Sequence, residues 1–208
     1  MKTTSKFFIS FLSLLMVLSL AFVPASQTAV IAVTGINSVS LTTLFSTIAS
    51  APVVNDSSSQ LKSISVANVF DYPVVQQPSG NDGYISTSSK TLTQFAMASN
   101  YGSIGILAHN YLAGRYFSSL SSGNIIKVSF SDGSTKNYTI SNIKKYQALS
   151  PIDPYSQFVD LDDSSTTISS TDLFMNTFGL GGALVLQTCI SKNGNSSWGR
   201  LFVIAYAS

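Results

Sequence analysis

Short apolar runs separated by polar turn residues dominate the chain from Leu61 onward. The runs are rich in β-branched and aromatic residues, and Gly, Asn, Asp and Ser separate them, which is typical of strands joined by tight turns. The strands predicted on this basis are 63–70, 103–109, 124–130, 136–146, 183–189 and 198–206. Two short helices are also predicted, 92–98 and 171–178, the second begun by a cap at Ser170 or Thr171 and ended by Gly179.

One turn indicates how two of these strands pair. Ser131-Asp132-Gly133-Ser134 has Gly where a hairpin turn needs a positive φ, so the flanking strands are expected to be antiparallel. Six or more short strands with one or two short helices predict a mainly β fold. We expect a closed or nearly closed barrel of about eight strands, because closure removes the unpaired edges of an exposed sheet.

The N-terminal part of the chain has the pattern of an export signal. Lys2 and Lys6 precede the uncharged run 7–23, and Val23-Pro24-Ala25 offers small residues for a signal peptidase. The run has 17 residues, the lower limit for a membrane span, so a retained anchor is the alternative to cleavage after Ala25. The predicted organisation is a signal peptide or uncleaved anchor at 1–25, a Ser/Thr-rich linker at 26–60 with one strand or helix near 40–48, and a folded domain at 61–208. The expected location is secreted or at the cell surface.

Composition excludes several classes of function. Charged residues make up 10% of the 208-residue chain and the formal net charge is +2, without the clustered Lys and Arg that nucleic-acid binding requires. We therefore expect no nucleic-acid partner, and membrane contact only if the N-terminal segment is retained. One Cys excludes both a Cys-rich zinc site and an intramolecular disulfide.

Three side chains that occur at strand boundaries are the candidates for chemistry. Cys189 follows the apolar run 183–188, and His109, the only histidine, follows the apolar run 104–108. Arg200, one of two arginines, opens another apolar strand. A free thiol has a pKa of about 8.5 and needs a nearby imidazole or guanidinium to act as a nucleophile near neutral pH. The alternative is an inert buried Cys, a packed His and an Arg that extends to solvent.

At these residues the chain resembles the sortase family of exported cysteine transpeptidases. The family motif Thr-Leu-x-Thr-Cys is matched by Val185-Leu186-Gln187-Thr188-Cys189, with Val in place of the first Thr. As in the family, His109 follows a strand well before the Cys, and Arg200 begins the strand after it. The resemblance covers about 61–208. It implies a sortase-like β-barrel as the catalytic domain.

The resemblance also implies a reaction and a set of site residues. Cys189 would attack a peptide carbonyl to form a thioacyl intermediate, His109 would act as general acid and base, and Arg200 would hold the substrate and stabilise the oxyanion. The implied partners are a peptide or protein with a sorting signal and an amine acceptor. The implied substrate-binding residues are Thr188, Leu186, Asn110, Ile152, Phe158 and Trp198.

The long connection 146–179 is the predicted substrate-shaping element, although its apolar residues are equally consistent with a simple cap on the barrel. Within it, Asp160, Asp162 and Asp163 are weak candidates for Ca²⁺, as in some sortases, and solvated turn residues are the favoured interpretation. No other cofactor is expected. Two alternatives to transpeptidation stay open: a hydrolytic sortase-like peptidase, and an inactive barrel that binds surface peptides.

Overall fold

A computed structural model describes residues 59–208 of the chain. Ten strands follow one another along the sequence. They are β1 (Leu61–Val66), β2 (Phe70–Gln76), β3 (Leu92–Phe95), β4 (Ile104–Leu107), β5 (Ile125–Phe130), β6 (Thr135–Ala148), β7 (Phe158–Asp160), β8 (Thr167–Ile168), β9 (Ala183–Lys192) and β10 (Asn195–Ala207). The helices are α1 (Ala96–Ser99), α2 (Ser170–Met175) and two 3₁₀ helices, Ala113–Ser119 and Phe178–Leu180.

Eight of the strands close into a barrel. The strand order is β10-β9-β4-β3-β2-β1-β5-β6, and β6 pairs with β10 to complete the ring, while β7 and β8 extend the sheet from β6. The β2–β3 and β4–β9 pairs are parallel and the other pairs are antiparallel. The prediction of a mainly β fold with a closed barrel of about eight strands is confirmed. The predicted hairpin at 131–134 is also confirmed, since it joins the antiparallel pair β5 and β6.

Two predicted elements are wrong, one because of a turn in the chain and the other because of strand pairing. The single strand predicted at 63–70 is two antiparallel strands, because the chain turns at Asn68, which has a φ of 61°, and Val69 N–H donates to the Val66 carbonyl at 3.0 Å. The helix predicted at 92–98 begins as strand β3, which pairs with β2 and β4, and only its last residues form α1. Sheet pairing therefore overrides the local helical pattern there.

The predicted helix at 171–178 is present but its ends differ. Its cap is Ser169, whose hydroxyl accepts from the Asp172 N–H at 3.1 Å, while the Asp172 carboxylate accepts in turn from the Ser169 N–H at 3.4 Å. This reciprocal capping box stabilises the first turn. The helix ends at Met175, before Gly179, because the chain then continues into a separate 3₁₀ turn.

Removal of this cap is expected to weaken the helix that covers the barrel. Ser169→Ala should lower the free energy of unfolding by about 1 kcal/mol, because the Asp172 N–H loses its acceptor. Urea denaturation of the purified domain measures the change. The matched control is Ser170→Ala, one residue inside the helix, where Ala is a good helix former. Equal effects of the two substitutions would contradict the capping role.

Alternate residues of β9 and β10 face two separate apolar cores. Leu184, Leu186 and Val203 point into the barrel, where they join the interior core. Val185 and Phe202 point outward and pack beneath β7, α2 and the second 3₁₀ helix. The connection between β6 and β9 therefore covers the outward face of β4, β9 and β10. A cavity described below lies between this connection and the sheet.

The predictions for the signal peptide at 1–25 and for the linker up to residue 58 fall outside the described residues. Within residues 59–208, no helix has the length and apolar character needed to cross a membrane.

Candidate active site

The strand register places the three candidate residues at one level across three adjacent strands, just after the end of β4 and within β9 and β10. Arg200 of β10 lies directly opposite Cys189 of β9. On the other side of β9, Leu107 of β4 lies beside Gln187 in a parallel pairing, so His109, two residues further on, leaves the strand at the level of Cys189. Adjacent strands are about 4.8 Å apart. The order across the sheet is therefore imidazole, thiol and guanidinium, with Cys189 in the middle.

Backbone and side-chain hydrogen bonds hold the segment around His109 against β9. Ala108 N–H donates to the Gln187 carbonyl at 3.2 Å, and the Thr188 hydroxyl donates to the Ala108 carbonyl at 2.8 Å. The His109 carbonyl accepts from the Gly114 N–H at 3.0 Å. The imidazole of His109 stacks on the Tyr111 ring with 5.1 Å between centroids. These contacts keep the residue after β4 in register with the thiol.

Gly114 is the point of closest packing behind this segment. A Cβ on Gly114 would lie 2.4 Å from the Thr188 hydroxyl oxygen, 2.7 Å from the Ala108 carbonyl oxygen and 2.9 Å from the His109 carbonyl oxygen. All three distances are shorter than a Cβ tolerates, and two of the three atoms belong to the backbone. The 3₁₀ helix can therefore approach the ends of β4 and β9 only where it carries glycine.

Strand alternation places the Cys189 side chain on the outward face of β9, the same face as Gln187, and opposite Arg200. Cys189 is partly exposed and lines a cavity of about 420 Å³ together with Asn110, Arg115, Lys145 and Ser191. Cys189 is not fully buried, and the choice between a reactive and an inert thiol stays a prediction. Partial exposure at a cavity is what a reactive thiol requires.

The guanidinium of Arg200 is held by backbone carbonyls. One terminal nitrogen donates to the carbonyls of Ser197 and Gly199 at 2.9 and 3.0 Å, and the other donates to the Pro151 carbonyl at 3.1 Å. The group also lies 5.9 Å from the centroid of the Phe158 ring. Arg200 thus connects β10 to the loop between β6 and β7: one terminal nitrogen is directed to that loop and the other to the backbone of β10 itself.

A second cavity, of about 350 Å³, opens on the outward face of β4, β9 and β10. Its floor includes Leu107, Gln187 and Phe202, and Phe158 of β7 contributes to its wall. Arg200 also lines it. An apolar groove with a few polar groups is the usual form of a peptide or small-molecule site. Gln187 is two residues before Cys189 on the same face of β9, so this groove leads toward the thiol.

The predicted substrate-binding residues are distributed over several environments. Leu186 is a correction: it is fully buried inside the barrel, so its side chain supports β9 and cannot contact a ligand outside. Thr188 is also buried, and its hydroxyl is used to hold Ala108. Phe158 lines the apolar groove, and Asn110 lines the cavity at Cys189.

The remaining two predicted residues lie on the surface near these cavities. Ile152 is 95% exposed in the loop whose neighbouring Pro151 carbonyl binds Arg200. Trp198 is half-buried beneath the Lys192 ammonium, which lies 4.5 Å from the ring centroid. Asn110, in addition to lining the thiol cavity, donates to the Ser191 hydroxyl and the Ser196 carbonyl, both at 2.8 Å. These bonds attach the segment after His109 to the hairpin between β9 and β10.

The three candidate Ca²⁺ ligands do not form one ligand set. Asp160 and Asp162 pair with the Lys144 ammonium at 3.8 and 3.7 Å. Asp163 instead accepts from the hydroxyls of Ser165 and Thr166, which lowers the pKa of its carboxyl. Among residues 59–208, no group of three His, Cys, Asp or Glu side chains is arranged to hold a metal. Ca²⁺ binding by these residues stays a prediction.

Arg115, close to the thiol cavity, was not singled out by the sequence. Arg115 donates to the Tyr116 hydroxyl at 2.7 Å, and this bond is the main cause that lowers the pKa of Tyr116. The neighbouring Tyr72 is buried, and burial raises its pKa. No sequence motif marks Arg115 as a residue near Cys189, because only the fold brings its 3₁₀ helix against β9.

The site is thus a thiol centred between an imidazole and a guanidinium at the end of a closed barrel. No family model matches the chain, and no curated protein matches it. The chain resembles sortases, as its sequence predicted, in the fold of its barrel.

Three solved structures illustrate the likeness. Sortase A from Corynebacterium diphtheriae is 15% identical, with a TM-score of 0.45, over 73% of this chain and 61% of that chain. Sortase C from Clostridium perfringens SM101 is 14% identical, with a TM-score of 0.42, over 73% of this chain and 71% of that chain. Listeria monocytogenes sortase A is 12% identical, with a TM-score of 0.43, over 72% of this chain and 88% of that chain. This chain therefore spans about three fifths of the length of the first of these proteins, and the likeness concerns the fold alone.

Proposed function

We propose that this protein is an exported cysteine transpeptidase that cleaves a sorting peptide at Cys189 and transfers it to an amine. The observation that carries the proposal is the row of His109, Cys189 and Arg200 formed by the register of β4, β9 and β10, with Cys189 partly exposed between the other two. A nucleophile, a general acid–base group and a cationic anion-binding group are the parts that acyl transfer by a thiol needs. Export is proposed from the signal-like pattern at 1–25.

Cys189, His109 and Arg200 each have a distinct role in the reaction. The Cys189 thiolate attacks the peptide carbonyl, so that an S–C bond forms and the C–N bond breaks, and the imidazolium of His109 gives its proton to the leaving amine. In the second half, the incoming amine forms an N–C bond, the C–S bond breaks, and the amine proton passes to His109. Arg200 stabilises the negative oxygen in both halves. To do so, its guanidinium exchanges a backbone carbonyl for the substrate oxygen.

The donor peptide is assigned to the groove on the outward face of the sheet. This groove is mainly apolar, extends along β9 toward the thiol and has Arg200 in its lining. A peptide extended along the groove brings a carbonyl to Cys189 while its side chains contact Leu107, Phe158 and Phe202. The loop that contains Pro151 then lies at the edge of the bound peptide.

Selective alkylation tests whether the thiol is activated. Because the chain has one Cys, iodoacetamide labels a single residue. We expect native protein to be labelled at Cys189, and His109→Ala to slow the labelling about tenfold, because the thiol loses a neighbouring group that can accept its proton. Mass spectrometry follows the rate, and Tyr111→Phe, which keeps the ring stacked on His109, is the control. Labelling only after unfolding would contradict the proposal.

Transfer is tested with quenched peptides. A library of such peptides is incubated with the protein, with and without added amines, and Cys189→Ala gives the background. Products that contain the amine support transpeptidation. Products that contain only water would indicate the hydrolytic alternative, and binding without cleavage would indicate an inactive peptide-binding barrel.

A further inference from the structure

A small polar cavity is formed by β2, the chain just before β3 and the 3₁₀ helix Ala113–Ser119. It has no lining residue in common with the groove assigned to the donor peptide. Its volume of about 40 Å³ holds a group of only a few non-hydrogen atoms. Any ligand that it takes is therefore a small ion or the end group of a larger molecule. Its polar lining, which defines what we call the tyrosine cavity, comes from Tyr72, Ser89, Lys90, Arg115 and Tyr116.

The tyrosine cavity carries positive charge that the protein does not neutralise. Lys90 and Arg115 supply two cations, and no carboxylate lines the cavity. Within residues 59–208 the ion pairs are those of Lys144 with its two aspartates, so neither cation takes part in one. The hydrogen bond from Arg115 is the main cause that lowers the pKa of Tyr116, and the charge of Lys90 acts in the same direction. Both cations therefore act on one hydroxyl group.

The Tyr116 hydroxyl is left as a hydrogen-bond donor beside the cavity. Its oxygen accepts from the Arg115 guanidinium at 2.7 Å and also hydrogen-bonds with Tyr72. Burial raises the pKa of Tyr72, and its bond to Tyr116 raises it further, as expected when Tyr72 is the donor. With two bonds received by the oxygen of Tyr116, its own hydrogen has no acceptor among residues 59–208. Such a group favours a ligand that accepts hydrogen bonds.

Both cations are held in place. The guanidinium carbon of Arg115 lies 4.7 Å from the centroid of the Tyr116 ring, in addition to the hydrogen bond with its hydroxyl. Lys90 has a φ of 57°, in the left-handed region that residues other than glycine rarely adopt. Leu92, two residues later, is fully buried at the start of β3 and fixes the chain there. A strained backbone persists only where its surroundings determine it, so Lys90 is not an ordinary surface lysine.

We propose that the tyrosine cavity binds a phosphate group, either as the free ion or as the monoester end of a larger molecule. Two positive charges match the charge of about −2 that a phosphate monoester carries near neutral pH. Donors from Lys90, Arg115 and Tyr116 suit its several oxygens. A carboxylate has one charge and two oxygens, so it would use only part of the lining. This site is separate from the reaction at Cys189 and does not rest on the proposed function.

Binding is measured by NMR on the full chain with ¹³C at Cζ of tyrosine. Inorganic phosphate is added near neutral pH, while chloride keeps the ionic strength constant. We expect the signals of Tyr72 and Tyr116 to shift together with a Kd of about 1 mM. Tyr155 and Tyr206 do not line the cavity, so their signals should not move. Phosphate at about 10 mM should also raise the melting temperature by about 3 °C relative to chloride.

Matched variants test the role of each group. Lys90→Gln/Arg115→Gln should weaken phosphate binding about tenfold, and Tyr116→Phe, which keeps the ring beneath the guanidinium, should weaken it about threefold. Lys62→Gln/Lys127→Gln removes the same total charge away from the cavity and should weaken it less than about twofold. All four cations are exposed, and melting curves check that each variant is folded. Equal losses in the two double variants would overturn the inference. An unshifted Tyr116 signal in the unsubstituted protein would overturn it without any variant.

Other ions identify the charge and the source of the ligand. Acetate should bind about fivefold more weakly than phosphate, because it carries one charge. Equal affinity for acetate and phosphate would overturn the assignment to a phosphate group. Glycerol 3-phosphate distinguishes the two sources. An affinity equal to that of inorganic phosphate supports binding of a monoester end, and a much weaker one supports binding of the free ion.

Discussion

Replacement of Arg200 by Ala is expected to lower kcat/KM for peptide cleavage by about 10²–10³-fold, the usual cost of removing one donor that stabilises an oxyanion. Arg200 is the cation opposite Cys189 in the strand register, and it lines the groove assigned to the donor peptide. The measurement uses a quenched peptide selected from the library, under conditions where kcat and KM are separable. A fall in kcat marks an interaction formed in the transition state, whereas a rise in KM alone marks simple binding.

Arg200→Lys tests whether a positive charge alone is enough at this position. The guanidinium satisfies three backbone carbonyls with two terminal nitrogens, which requires its planar fork. An ammonium is a compact point charge and cannot reproduce that geometry, so we expect Lys to recover only a small part of the activity. Full recovery by Lys would show that charge alone is needed and would contradict the assignment of a fixed, forked donor.

Loss of the Arg200 contacts also has a structural effect, which must be separated from the catalytic one. The bond to Pro151 holds the loop between β6 and β7, where Ile152 and Tyr155 are 95% and 84% exposed. Both Arg200 variants should therefore be cleaved faster by a protease in this loop. Iodoacetamide labelling of Cys189 should stay within about threefold of the unsubstituted rate, because Arg200 makes no hydrogen bond to the thiol among those that hold its guanidinium.

The strands next to the site were predictable because their signals are local. The predicted strand end near His109 is right, since β4 ends at Leu107, but β9 continues three residues past Cys189 to Lys192 and β10 begins at Asn195, five residues before Arg200. The errors arise where a contact distant in sequence decides the structure. Residues 92–95 have a helical pattern, but β2 and β4 on either side supply hydrogen-bonding partners that only the complete sheet provides.

The supporting residues of the site were harder to predict for the same reason. Leu186 belongs to the nucleophile motif, but strand alternation turns it into the barrel, so motif membership did not indicate contact with substrate. Arg115 and Lys145 come from a 3₁₀ helix and from β6, and no spacing in the sequence connects them with Cys189. The candidate residues His109, Cys189 and Arg200 could be selected from the sequence because each lies where an apolar run meets polar residues, whereas the cavity residues come together only through tertiary packing.

The tight packing behind His109 makes Gly114 a sensitive position. We expect Gly114→Ala to lower the free energy of unfolding by about 2–3 kcal/mol, because a Cβ there overlaps two backbone carbonyl oxygens that cannot rotate away. We also expect peptide turnover to fall about 10²-fold, since the segment that carries His109 must shift relative to Cys189. Urea denaturation and the peptide assay measure the two effects.

Two further variants show whether the effect arises from this contact. Gly83→Ala is the matched control for stability alone, because a Cβ on Gly83 meets no atom within 4 Å and that residue has an ordinary φ, but Gly83 lines the groove assigned to the donor peptide. Gly114→Ala/Thr188→Ala removes the hydroxyl that lies 2.4 Å from the new Cβ but leaves both carbonyls in place. The double variant should therefore lose less stability than the two single substitutions lose together, but it should not regain the stability of the unsubstituted protein. If Gly114→Ala were as stable as Gly83→Ala and as active as the unsubstituted protein, the 3₁₀ helix would not be what positions His109, and the register of β4 with β9 would have to hold the imidazole unaided.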